Sequence, residues 1–242
     1  MLKIAVFDSG FGGELFADYL EEHLPVAEIT RIIDWRHATE INTSKRSARR
    51  AAEAAISQHI GHVDLIVFAN FLLTATSLKY FRRKYPGQAF VGFQLTHPGT
   101  FKRRTLILAT SPLAKTFAYH RYLHQLHRHT TTVCCDNWPA LIDDGELTDS
   151  HLRQVIDDYR TKHRCLPDEI ILACTQFRDT RSTLRVLTRY RTSLHDGYRD
   201  TLTAVCHELK LRGATSRKYK GKNRRRPTIT AKSSAKRSCG AQ

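Results

Sequence analysis

Short, nearly unbroken apolar runs recur along the first 212 residues, and each gives way to a stretch of helical period. "LKIAVF", "EITRIID", "VDLIVFA", "AFVGFQL", "RTLILAT", "TTTVCC" and "EIILACT" are the runs. Between them lie "GELFADYLEEHL", "SARRAAEAAISQHI", "LLTATSLKYFRRKY", "SPLAKTFAYHRYLHQL" and "DSHLRQVIDDYRTKH". A strand that is apolar at every position is covered on both faces. Such strands alternating with helices predict an α/β fold with mainly parallel sheets flanked by helices. Pro112 sits well for the first turn of one helix, and Asp149 or Ser150 would cap another. The break at "HPGT", around residue 98, divides the pattern into two lobes. The expected lobes are residues 1–95 plus a returning β/α unit at 191–212, and residues 96–190.

Residues 213–242 differ in kind. They carry ten basic residues between Arg217 and Arg237, no acidic residue and almost no large apolar group. Such a segment cannot bury enough surface to offset its ordering entropy, so the expectation is a disordered tail. Its charge suits non-specific nucleic-acid binding through the 217–237 stretch, or plain solubilisation. The whole chain is basic, at +16. No apolar run approaches the length of a membrane span, and "MLKIAVFDSG" does not read as a signal peptide. The six cysteines are irregularly spaced and include no C-x-x-C pair. Free thiols, a cytoplasmic location and no membrane association are expected.

In open α/β folds, ligands sit beyond the carboxyl ends of the strands. That singles out Asp8-Ser9, Ala69-Asn70, Ala109-Thr110 and Cys174-Thr175. "FDSGFGG" ends a strand in an acid and turns on glycines into a helix, whose free N–H groups favour an anion. It also reads simply as a capping aspartate with turn glycines. Cys174 is a reactive thiol or a small buried hydrophobe. His120, His124 and His127 fall at helical spacing. Without a nearby carboxylate they read as a solvated face rather than a metal site. Asp34, Trp35 and His37 are equally ambiguous.

Taken in order, the segments resemble the aspartate/glutamate racemase superfamily, glutamate racemase in particular. "VFDSGFGG" matches that family's D-S-G-x-G-G opening, and "LIVFANFLLTA" lies where it has A-C-N-T-A. "LATSPLAKTFAY", "VCCDNWPALIDDG", "IILACTQF" and "LHDGYRDTLTAV" resemble its later segments, so the likeness spans roughly residues 4 to 204. The resemblance implies two pseudo-symmetric lobes with the site in the cleft between them. It implies cofactor-independent proton transfer at the α-carbon of glutamate or a related acidic amino acid, for peptidoglycan precursor supply, with no metal. It also makes a homodimer an expectation. Two thiols on opposite faces of the carbon perform the family's inversion, one removing the proton and the other donating it.

By this likeness Cys174 and Asp8 are the catalytic candidates. Ser9, Asn70, Thr175, Gln176, Asn42, Thr43 and Thr110 are the substrate-binding ones. The departures bear on activity. Ala69 stands where the first thiol belongs, Phe71 replaces a threonine, Gln176 replaces a histidine, and Ile41-Asn42-Thr43 replaces the substrate loop P-Y-G. A one-thiol site cannot invert by the two-base route. It can exchange a proton on one face, or protonate a carbanion as a one-cysteine lyase or decarboxylase does. A non-catalytic descendant acting through its basic tail is the remaining alternative.

Overall fold

Strands β1 (Leu2–Asp8), β2 (Ala27–Ile33), β3 (Leu65–Phe68) and β4 (Ala89–Gly92) form one sheet in the order β2-β1-β3-β4. Strands β5 (Thr105–Ala109), β6 (Thr130–Cys134), β7 (Glu169–Leu172) and β8 (Ser193–His195) form a second in the order β6-β5-β7-β8. Every strand pair in both sheets is parallel. The second sheet thus repeats the strand order of the first. This computed structural model describes residues 1–38, 41, 44–95, 104–126 and 129–211. Asn42, Thr43, His127 and the basic tail lie outside the described residues.

The central strands are apolar at each position because both faces are covered. On one face of the first sheet, Ala5, Phe7, Ile66 and Phe68 pack under α2 (Lys45–Ile56), through Ala48, Ala51, Ala52 and Ile56. Small residues on that helix face let it approach the sheet closely. On the other face, Ile4, Val6, Leu65 and Val67 meet Phe16 and Leu20 of α1 (Phe11–His23). They also share a cluster with Tyr198, Val205 and Leu209 of the last helix, Tyr198–Leu211. That cluster runs on into the second sheet through Ile107, Ala109, Ile171 and Ala173, so one apolar core joins both sheets.

Aromatic edges tie the junction. Phe93 meets Phe16 at 4.8 Å, Phe71 at 4.8 Å and Tyr198 at 5.2 Å between ring centroids. The Arg178 guanidinium lies 4.1 Å from the centre of the Tyr198 ring and pairs with Asp196 at 2.8 Å. Gly12 makes the closest approach: a Cβ there would stand 2.1 Å from Thr175 Oγ1. Only glycine lets α1 pack against the turn that follows β7.

Two helix expectations need correction. The stretch from Ser111 to Leu126 is not one helix. It splits into α4 (Ser111–Ala114) and α5 (Phe117–Leu123), because Thr116 leaves the helical region and its Oγ1 accepts from the Tyr119 N–H at 3.1 Å. His120 lies on α5, but exposed His124 falls past its end, so the histidine face is not continuous. The cap of α7 (Asp149–His163) is Thr148, not Asp149 or Ser150. Its backbone is extended and its hydroxyl lies 2.9 Å from His151 Nδ1. The helix at α6 (Trp138–Asp143), the 3-10 turn Thr175–Thr180 and α8 (Arg181–Leu187) were not anticipated. Among the described residues, no helix is long and apolar enough to cross a membrane.

Candidate active site

Parallel pairing brings the carboxyl ends of β1 and β3 to one edge of the first sheet, and those of β5 and β7 to one edge of the second. In each sheet the chain leaves these two central strands on opposite sides, which opens a crevice between them. The residues just past the ends are Ser9, Asn70, Thr110 and Cys174. All four line a single cleft of about 850 Å³, together with Asp8, Thr175 and Gln176. Asn42 and Thr43 lie outside the described residues, but Ile41 and Ser44 on either side of them line the same cleft.

Asp8 is the electrostatic centre. It is 3% exposed. Its Oδ1 accepts from the Ser9 N–H at 2.6 Å and from Asn70 Nδ2 at 2.9 Å, while Oδ2 takes the Thr175 hydroxyl at 3.4 Å. These donors favour the carboxylate. Burial disfavours it more strongly, and the Asp143 charge adds to that, so the acid is raised to about 7. Asn70 also caps α3 (Phe71–Lys84), its Oδ1 accepting from the Leu73 N–H at 2.8 Å. One side chain therefore starts the helix and holds the acid.

Cys174 ends the matching strand of the second sheet. Its residue is half-buried, and its thiol points to Gln176 Oε1 at 3.6 Å. Burial pushes the thiol up to about 12, against the backbone N–H groups of Gln176 and Phe177, with Asp8 and Asp143 adding repulsion. Gln176 gives its Nε2 to Asp143 Oδ1 at 2.6 Å. Asp143 also takes the Phe11 N–H, so an acid of the second lobe is bound to the first turn of α1. Burial raises its carboxyl despite the Gln176 bond.

The register corrects the expectation for Ala69: its N–H bonds the Phe7 carbonyl as the Ala173 N–H bonds that of Leu108, so Ala69 matches Ala173 and Asn70 stands where Cys174 does. Ala69 is fully buried and belongs to the core that joins the sheets. It does not line the cleft, whereas its neighbours Asn70 and Phe71 do. Cys135 is no substitute thiol. It is buried beside Leu106, Leu108 and Trp138, points to the Val133 carbonyl at 3.9 Å and is pushed up to about 12 by burial.

The chain is similar to known proteins over most of its length. A glutamate racemase of Aquifex aeolicus strain VF5 is 24% identical over 184 residues, 73% of this chain and 71% of that one. A glutamate racemase of Pseudomonas syringae pv. tomato is 26% identical over 216 residues, 85% of this chain and 76% of that one. The crystal structure of Escherichia coli glutamate racemase, in complex with L-glutamate and the activator UDP-MurNAc-Ala, matches with a TM-score of 0.76 at 19% identity. That match covers 86% of this chain and 82% of the other. These similarities support the expected likeness to the aspartate/glutamate racemase superfamily, and to glutamate racemase in particular. No family model matches the chain.

Four charged residues of this racemase relative escaped the sequence reading although they line the cleft: Lys45, Lys115, Asp136 and Asp143. Asp136 is held by Ser111, which gives it a backbone N–H at 2.5 Å and a hydroxyl at 2.6 Å, and these bonds lower its carboxyl. The signal for Asp143 lay in "DNWPALIDDG", a segment matched to the family but not searched for acids. Lys45 and Lys115 carry no local pattern that separates them from surface lysines.

Proposed function

We propose that the chain performs glutamate-racemase-like, cofactor-independent proton transfer at the α-carbon of a small acidic amino acid, with Cys174 as the group that exchanges the proton. The observation that carries this reading is the placement of a lone thiol at the floor of the cleft, beside an acid raised to about 7. In the free protein the thiol holds its proton. A substrate ammonium entering beside Asp8 and Cys174 favours the charged form of both. Above about pH 7 the Asp8 carboxylate then accepts the thiol proton, and the thiolate removes the α-proton. Asn70, Thr175, Gln176, Ser9 and Thr110 supply the polar groups that orient the substrate, and Asn42 and Thr43 are substrate-binding candidates by the family likeness alone. The cytoplasm is the compartment this chemistry fits.

The family's default role, supplying D-glutamate for peptidoglycan, needs inversion. With Asn70 as the register partner of Cys174, this site presents a thiol to one face of the carbon only. In D₂O, with L- or D-glutamate or aspartate, exchange of the α-proton is expected to outpace inversion by at least about tenfold. Proton NMR follows the first and chiral chromatography the second. Ala69→Cys is expected to leave inversion unchanged, because residue 69 is buried in the core and does not line the cleft. Asn70→Cys, which puts a thiol on the cleft at the register partner of Cys174, is expected to bring inversion toward the exchange rate. Equal rates of exchange and inversion in the wild type would defeat the one-face reading, and absence of exchange would defeat the activity.

The tail carries a separable property. Ten cations without an acid neutralise phosphates at any sequence, so the full chain is expected to bind nucleic acid weakly, with affinity falling steeply with salt. A chain ending at Arg212 is expected to lose that binding in a filter or anisotropy assay and to keep exchange activity. Undiminished binding would place the affinity elsewhere.

A further inference from the structure

We infer that Lys45 and Lys115, one from each side of the cleft, read the anionic end of the substrate that lies away from the reacting carbon. This rests on the proton-transfer reading for where the reacting carbon sits, and extends it to how the substrate is selected.

Several cations around the sheets are engaged. Arg31 pairs with Glu14, Asp18 and Glu21, Arg104 with Asp168, Arg178 and Arg181 with Asp196, and Lys84 with Glu53. Lys45 makes no ion pair among the described residues, yet it lines the cleft from the first turn of α2, beside Ser44. Lys115 lines it from the other lobe, in the link between α4 and α5. Its acidic neighbour Asp136 is held by both donors of Ser111 and forms no direct ion pair with Lys115, although the Lys115 charge helps lower the Asp136 carboxyl. The acids of the cleft floor, Asp8 and Asp143, suit an ammonium, and they are bonded to Asn70 and Gln176. The acids Asp8 and Asp143 act on the thiol, and the two lysines come from the walls, where Asp136 beside Lys115 offsets part of the positive charge.

Apolar side chains of Ile41, Phe71, Leu72 and Leu113 line the cleft as well. A substrate with a short methylene chain between its reacting carbon and a second carboxylate matches this order. At about 850 Å³, the cleft lies within the range of roughly 300–1,000 Å³ that holds small-molecule ligands. Two flexible ammonium groups fall short of the rigid geometry of an arginine fork. They select for negative charge more than for one exact length.

The test uses the full chain and the non-reacting probes glutarate, with two carboxylates, and butyrate, with one. Titration calorimetry gives both affinities. Lys45→Gln and Lys115→Gln are each expected to weaken glutarate about fivefold and together at least twentyfold, with butyrate changed less than twofold. In the exchange assay the same variants raise KM for glutamate in proportion and leave kcat within twofold. Raising ionic strength weakens glutarate binding to the wild type and barely affects the double variant. No glutarate binding by the wild type, unchanged glutarate binding by the double variant, or equal loss of glutarate and butyrate would overturn the inference. Lysine-dependent glutarate binding in a protein that never exchanges the α-proton would instead overturn the activity and leave this assignment standing.

Discussion

Cys174→Ala removes α-proton exchange by about 10²–10⁴-fold, the contribution of one well-placed acid–base group. The thiol is the only sulfur that lines the described cleft. With its pKa pushed up to about 12 by burial, the thiol holds its proton at pH 7 in the free protein. Alkylation by iodoacetamide is therefore slow without substrate. Cys174→Ser keeps a hydroxyl near Gln176 Oε1 but not an acidity in reach of Asp8, so it loses exchange as well. Proton NMR in D₂O reads all three proteins, and circular dichroism confirms their fold. Exchange that survives in both variants would move the chemistry to another group. A loss in alanine but not in serine would show a hydrogen-bonding role rather than a proton carrier.

Asp8→Asn has opposite effects on activity and on stability. Asp8 is raised from 3.8 to about 7, so between those values the folded protein keeps a proton that the unfolded chain has released. Stability contributed by the protonated acid is full below about pH 4 and is lost as pH rises to 7. The charged, buried carboxylate then costs on the order of 4 kcal/mol relative to its neutral form. Asparagine never meets that cost. Its oxygen can take the Ser9 and Asn70 donors, while its NH₂ faces the Thr175 hydroxyl, which can accept. In urea unfolding, Asp8→Asn is expected to exceed the wild type by about 2–4 kcal/mol at pH 8, with the gap closing near pH 4. Parallel pH curves for the two proteins would contradict a raised acid.

The same change should slow exchange about 10–100-fold and remove its rise with pH around 7, since no group remains to take the thiol proton. A rise near 7 that persists in Asp8→Asn would assign it to substrate or to another residue. Stability and exchange thus report on one titration by independent measurements.

The strands were readable because their pattern is local and unambiguous. Five of the eight, β1, β3, β4, β5 and β7, show as buried apolar runs, and parallel packing between helices explains why they lack alternation. The polar residues that follow them were readable for the same reason: Asp8, Asn70, Thr110 and Cys174 each end a run. Helices were less legible where a side chain redirects the backbone. Thr116 looks like an ordinary position within a periodic stretch, and only its bond to the Tyr119 N–H shows it to be a second cap. Thr148 won over Asp149 and Ser150 because the chain is still extended there.

The alternation of strand and helix, the residues at the strand ends and the missing first thiol were determined by the sequence alone, since each depends on neighbours within a few positions. Tertiary structure decided the rest. It buried Ala69 in the core that joins the sheets and set Asn70 opposite Cys174 by register, used the bare backbone of Gly12 to bring Thr175 against α1, and raised Asp8 by enclosing it between the lobes. It also carried Lys45 and Lys115 to one cleft from segments seventy residues apart. Burial and charge are sums over atoms that meet only when the sheets have packed. A pKa or an uncommitted lysine therefore has no signature in the order of the residues.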